Sequence, residues 1–557
     1  MLFRSVVAMD EKGSQARFCA ESAVFAAREM VRREAAPATT GRAESALSPW
    51  ENKQLAALDQ YTRLFTDDKA RGALYESGYL LYNRNHLAEA GERFNRVIAM
   101  DPRSREAEQA ANLILDGFAL TEDWVALRDN ARFYHDQANL GSSAFKAEVY
   151  GIYERASLKV IEVGAAKEPD KGKVGAAYLA FADEFPKSAQ ADLALHDAAV
   201  YFRDAARIDD AIAARTRLVD GFRSSKFWAD DLAALGFDYE STARFGDAAR
   251  VYERLATEVP THASAADALY SAAIFRESLG EWEVAVKDHT ALGARWPERW
   301  AEATLESARI LELHEKASDA AALYGGLAAK PRDATLDQQL HARTRAGILL
   351  GKPESYWVET LAWYNTASKG TPSEDGREYV AEIRFRMAAD DDAAYRAMRI
   401  DGPGGKRMSN DQADKLLTRQ LTDKVKEMAR LEALYTTVIT TGSGRWGLAA
   451  LTRVGSAYED LAASIRGSWI PGYLTPAQAD FYRLRLEDLA FAQEEKAAGA
   501  YELALEKSAE LQLYDANTAE ATHRLADLRP ADHPESFETI ARPGFVAPDT
   551  AVGEPEE

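Results

Sequence analysis

A recurrence of 37 residues constrains this chain more than any other feature. The stretch FGDAARVYERLATEVP, Phe245 to Pro260, has a counterpart in EWEVAVKDHTALGARWP, Glu281 to Pro297. Ala211, Ala248 and Ala285 are 37 apart, and a further step of 36 reaches Ala321 inside the run Ala320-Ala321-Ala322. Leu218, Leu255 and Leu292 keep the 37-residue step, as do Phe185, Phe222, Val259 and Trp296. Leu195, Leu232 and Leu269 mark the preceding segment in the same way. Pro186, Pro260 and Pro297 close three units, with Arg223 in the slot of another. Several independent columns sharing one period signify a repeat architecture.

Each unit holds two apolar-periodic segments of about 12–16 residues, the length of ordinary helices. The alanine lets the second helix approach its partner closely, and the leucine fills the space between them. Proline lacks an N–H and clashes with the preceding turn, so it follows the second helix as a breaker. A Ser or Thr then follows, as in FPKSAQAD and VPTHASAAD, and is expected to cap the next helix through its hydroxyl. This alternation predicts an all-α fold, an α-solenoid of helix-turn-helix repeats.

The segment ALYESGYLLYNRNHLAEAGERFNRVIAMDP, ending at Pro102, resembles the tetratricopeptide repeat (TPR). Gly78, Ala90, Phe94 and Pro102 stand at that family's Gly, Ala, Phe and Pro positions, while Leu74 and Leu81 replace its Trp and aromatic. The later units, with closures of the EFPKS type, are similar to the bacterial envelope branch, including the outer-membrane assembly lipoprotein and the Tol–Pal coordinator. The same register reaches Leu127 and, after an insertion near GAAKEPDKGK, Val174.

The array is placed at residues 50–370, with SYWVETLAWYNTASKG as its last segment. Beyond it the helical pattern lengthens, which predicts a longer-helix C-terminal region over 371–528. One face of a long helix is expected to carry Leu417, Leu421, Val425, Met428, Leu431, Tyr435 and Val438. Thr475 and Pro476 are expected to open another helix as cap and first-turn proline. A Pro-rich acidic tail, 529–557, reads as disordered. Segments such as GRWGLAALTRVGSAYEDLA and HPESFE look like the C-terminal parts of myxobacterial gliding-motility envelope proteins.

Residues 1–49 form an N-terminal segment. Its opening MLFRS matches what a common sequencing-adapter end encodes from a GTG start, so the segment reads as truncated and the native start is expected upstream. No sustained apolar segment with a cleavage site marks a signal peptide, and no stretch approaches the roughly 20 apolar residues of a membrane helix. The single cysteine, Cys19, excludes an internal disulfide and a Cys-rich zinc site and reads as a small buried apolar group. Acidic residues outnumber basic ones, 89 to 68, for a net charge of -21. That surface repels phosphates, so nucleic acid is not an expected partner.

Catalytic motifs do not emerge. DGPGGKRMSN, Asp401 to Asn410, lacks the spacing, the Ser/Thr and the preceding strand of a phosphate loop. It reads as a turn between long helices. Ser443 in TTGSGRWG has no strand leading into it, so that segment reads as a helix stop and restart. Nine scattered histidines offer no metal pair. No catalytic, metal or cofactor site is assigned.

The candidate binding residues lie on the first helices of the repeats, which line the inner groove in the TPR register. Tyr75, Tyr79 and Tyr82 stand at i, i+4 and i+7, with Asn83 adjoining. Tyrosine offers apolar area with a polar tip, suited to gripping a peptide. The alternative is plain packing against the neighbouring helix. Corresponding positions are His196, Val200, Arg203 and Asp204, then Phe237, Glu240 and Ser241, then Tyr270, Ile274, Glu277 and Ser278. The resemblance implies a non-catalytic scaffold for protein partners, periplasmic or outer-membrane-associated, in an assembly or gliding-motility complex. The alternatives are a cytoplasmic adaptor and, from another class, an enzyme with its site after residue 370.

Overall fold

The computed structural model describes residues 2–34, 43–330 and 334–534. Among them there are 24 α-helices, one short 3-10 turn and no strand, and helices pack chiefly on their neighbours in the chain. None is long and apolar enough to cross a membrane. Two compact units divide the chain, Met1–Phe275 and Arg276–Glu557.

In the first unit, α1 (Leu2–Met9), α2 (Ala16–Arg33) and α3 (Pro49–Leu64) precede five helical hairpins. These are α4 (Asp68–Tyr82) with α5 (Leu87–Met100), α6 (Arg105–Leu120) with α7 (Trp124–Asp136), and α8 (Ser143–Ala165) with α9 (Lys171–Glu184). Two more follow, α10 (Ala191–Asp204) with α11 (Ile208–Gly221) and α12 (Trp228–Ser241) with α13 (Phe245–Glu258). Helix α14 (Ala265–Ser278) carries the chain across the division. Cys19 is buried.

The period is visible in the helix starts. Second helices begin at Leu87, Trp124, Lys171, Ile208 and Phe245, in steps of 37 except across the expected insertion, where ten residues are added. Most of those residues lengthen α8, which has 23 residues against 16 in α6 and 14 in α10. The marker alanines Ala211 and Ala248 and the leucines Leu218 and Leu255 are fully buried. Close approach also depends on glycine. A Cβ on Gly78 would sit 2.7 Å from the Phe94 ring, and one on Gly236 would overlap the Tyr252 ring.

Four of the five hairpin turns hold a left-handed residue two positions before the second helix; the α8–α9 turn, with Pro169 in that slot, does not. Asn85, Glu122, Ala206 and Ala243 fill this slot with φ of 62°, 57°, 58° and 57°. The turn at Ala243 closes a helix end in the Schellman manner: its N–H donates to Glu240 O at 2.9 Å, and that of Arg244 to Tyr239 O at 2.9 Å. Without glycine the conformation costs about 1–2 kcal/mol per position.

The expected capping role of Ser188 is corrected. Helix α10 starts at Ala191 with Gln190 as an N-cap that makes no side-chain bond. Ser188 instead donates its hydroxyl to Glu154 at 2.6 Å and accepts the Gln190 N–H at 3.0 Å. The turn after proline is two residues too long for the hydroxyl to reach the helix. Hydroxyl caps do open α3, α6 and α8, at Ser48, Ser104 and Ser142.

The second unit opens with α15 (Trp282–Arg295), α16 (Trp300–Leu313), α17 (Ala317–Ala328), α18 (Leu336–Leu349) and α19 (Glu354–Ala367). Ala285 and Leu292 are fully buried. The marker of the next step is Ala320 rather than Ala321. It lies three residues into α17, as Ala285 does in α15, and is the more buried of the two. Its spacing of 35 reflects a shorter connection.

Longer helices follow: α20 (Glu374–Ala397), α21 (Asn410–Ile439), α22 (Gly444–Arg466) and α23 (Pro476–Leu511), then α24 (Ala516–Leu528). Thr475 caps α23 with Pro476 at its first turn. The expected face of α21 holds for Met428, Leu431, Tyr435 and Val438, all buried, but Val425 is exposed. Lys424 takes the inward place: fully buried, its ammonium meets Asp460 at 2.8 Å and donates to Met398 O at 2.9 Å. The charge is satisfied, so the helix tolerates it there. Of the tail, residues 535–557 lie outside the described residues.

Candidate binding surface on the first helices

Spacing of i, i+4, i+7 brings side chains to one face of a helix, and α4 shows the result. The rings of Tyr75 and Tyr79 stack with centroids 6.2 Å apart and planes 13° apart, and those of Tyr79 and Tyr82 with 6.4 Å and 15°. Tyr75 is half-buried against Phe94, centroids 5.8 Å apart, and burial pushes its phenol up from the ordinary value. The Tyr82 hydroxyl donates to Asp116 of α6. Tyr79 stands 45% exposed between them. Asn83 ends α4, its N–H donating to Tyr79 O at 3.0 Å. The two outer rings thus serve packing and hold the middle one in place.

Beside this stripe runs a groove of about 600 Å³ between α6 and α8, floored by Trp124 and Leu127 of α7. Leu113 and Ile152 give it an apolar wall; Asp116, Arg155 and Lys159 give it a charged rim. Asn112 turns a buried Oδ1 into this wall with no hydrogen-bond partner among the described residues. Reasoning from the repeat did not single out Asn112, Ile152 or Arg155, because the lengthened α8 has no counterpart elsewhere in the array.

Farther along, the expected groove residues meet partners of their own. His196 Nδ1 lies 2.7 Å from Asp231, and the ring stacks on Phe227 at 4.3 Å. Arg203 donates to Asp238 at 2.8 Å and lies 4.3 Å from the centre of the Phe237 ring. Arg215 of α11 reaches both carboxylates, with Nε 3.1 Å from Asp231. Asp231, Asp238 and Arg215 are buried. Isolated charges would not be tolerated there, but each carboxylate faces two donors. The hydrogen bond to Asp231 raises the His196 pKa above its ordinary value.

Glu240 accepts the Tyr252 hydroxyl at 2.7 Å, and Ser241 donates to Asp238 O at 2.9 Å. Val200, Asp204 and Phe237 are exposed. Tyr270, Ile274, Glu277 and Ser278 lie on α14, where Glu277 receives Arg309 in a fork of 2.9 and 2.7 Å. A laterally paired charge costs more to redirect to a partner than Tyr79 does, so the amino-terminal stripe is the stronger candidate.

No group of His, Cys, Asp or Glu among the described residues is arranged to hold a metal ion. The segment 401–408 forms the turn between α20 and α21, with Gly402, Gly404 and Gly405 left-handed, and Ser409 caps α21. Ser443 caps α22 and donates its hydroxyl to Glu378 at 2.9 Å.

No family model matches the chain, and no curated protein does. Among solved structures it is similar to a tetratricopeptide repeat protein from Parabacteroides merdae, at 16% identity over 48% of this chain and 96% of that one, with a TM-score of 0.22.

Proposed function

We propose that the protein is a non-catalytic scaffold whose repeats, residues 50–370, hold a partner polypeptide against their first helices, with the strongest grip at α4, α6 and α8. The observation that carries this reading is Tyr79, exposed and braced between two anchored tyrosines beside an apolar-walled groove. A pre-positioned aromatic loses little freedom on binding, which is what an anchoring contact needs. The net charge of -21 favours a protein partner over nucleic acid. In the test, Tyr75→Ala combined with Tyr79→Ala is compared with the parent in pull-down from the native host. Loss of a discrete partner supports the reading, and an unchanged partner set overturns it.

The setting we propose is the bacterial cell envelope, periplasmic or outer-membrane-associated, in an assembly or gliding-motility complex. Its support is the resemblance of the EFPKS-type closures and of the C-terminal segments to envelope repeat proteins. Fractionation of the native host with an antibody to this chain tests it; recovery in the cytoplasmic fraction alone overturns it.

A further inference from the structure

Most arginines on this acidic chain are paired with a carboxylate, but Arg384 is not. It lies half-buried on α20 and donates through Nη1 to Thr437 O at 3.0 Å and to the Thr441 hydroxyl at 2.7 Å. These bonds cap the carboxyl end of α21, where a cation suits the helix dipole. They occupy only one end of the guanidinium. Nε and Nη2 make no hydrogen bond or ion pair among the described residues, although Arg384 lines a cleft of about 440 Å³. Burial without a neighbouring carboxylate lowers its pKa from the ordinary arginine value.

No carboxylate lines the cleft among the described residues, and two from the helices that build this region are engaged elsewhere. Asp337 accepts the hydroxyls of Tyr364 and Ser373, both at 2.7 Å, and Glu378 accepts that of Ser443 at 2.9 Å. The rest of the cleft has two characters. Leu361, Ala362, Pro372 and Val380 supply apolar wall, and the exposed Asn365 supplies an amide at the rim. The Nε–Nη2 edge of a guanidinium presents two parallel N–H groups at the spacing of a carboxylate's oxygens. Phosphate meets the same edge but brings no apolar stem to the wall.

We infer that the cleft between α19, α20 and α21 is a binding site for a carboxylate on a short aliphatic stem, held in a fork by Arg384. A free aliphatic acid and the carboxyl end of a peptide share this chemistry. The inference does not depend on the tyrosine stripe, which belongs to the first unit.

The test is isothermal titration of the full chain with sodium butyrate, with a short peptide ending in valine, and with inorganic phosphate, all at matched ionic strength. The expected result is one equivalent of butyrate or peptide bound, with a dissociation constant of about 1 mM; the tighter of the two identifies the source. Arg384→Lys keeps the charge but loses the fork and is expected to weaken binding at least tenfold. Ala362→Trp fills the cleft from α19 while leaving Arg384 in the sequence and is expected to abolish binding; it carries the test if the first variant fails to fold. Absence of saturable binding by either carboxylate overturns the inference, as does binding unchanged in Ala362→Trp. Tighter binding of phosphate overturns the assignment to a carboxylate.

Discussion

Arg203 on α10 donates to Asp238 on α12 at 2.8 Å, 35 residues ahead, and His196 meets Asp231 across the same pair of helices at the same separation. One repeat is thereby bolted to the next through buried carboxylates, with Arg215 of the intervening helix joined to both. Removing Asp238 takes one of two carboxylates from Arg215, which is buried and cannot turn to water instead. Asp238→Ala is expected to destabilise the first unit by about 3–5 kcal/mol. Urea unfolding followed by circular dichroism reads this directly, and a change below 1 kcal/mol would show that water reaches the cluster.

The same cluster gives a pH dependence. His196 faces Asp231, Asp197 and Arg215, and its folded pKa is raised above 6.5, first by the hydrogen bond to Asp231. A raised pKa means that the folded state holds the proton more tightly. The contribution is complete below the unfolded pKa and is lost as pH rises through the folded one. The stability gap between the parent and His196→Gln is therefore expected to be larger at pH 5.5 than at pH 8.5. Thermal melts at the two pH values measure it, and a gap that widens toward alkaline pH would contradict the assignment.

Ala243 occupies a left-handed position with φ of 57°. Ala243→Gly relieves the strain while adding some freedom to the unfolded chain, so a net gain of about 0.5–1 kcal/mol is expected. Ala206→Gly should behave alike, and the two should add, being one repeat apart. Denaturant midpoints of the single and double variants provide the check.

Gly78 faces the buried Phe94 ring, with 2.7 Å available to a Cβ. Gly78→Val is expected to force α4 and α5 apart and cost about 1–3 kcal/mol. Tyr79→Ala, one residue along but 45% exposed, is expected to change stability by less than about 0.5 kcal/mol. The pair separates packing from binding at adjacent positions: the first should lower the melting temperature, and the second only partner capture.

The period was legible because burial repeats it: Ala211, Ala248, Leu218 and Leu255 are at positions where a larger or polar group would not fit. The left-handed turns were not legible, since Ala206, Ala243 and Glu122 carry none of the glycine signal that such a conformation usually leaves. Asp231 and Asp238 were equally silent among 89 acidic residues; only the fold shows which of them are buried. At the candidate surface, the tyrosine stripe followed from helical spacing alone. The groove beside it did not, because the ten added residues could have formed a loop as readily as extra turns of α8. Arg384 went unremarked because an arginine reveals the lack of a partner only in three dimensions.

Helices that touch chiefly their neighbours in the chain store their free energy in the seams between adjacent pairs. Unfolding in such a stack travels as a front, one seam at a time, and each frayed pair exposes the face of the next. A lesion at one seam is then felt by its immediate neighbours and attenuated beyond them, so the protein can lose an end without losing the middle.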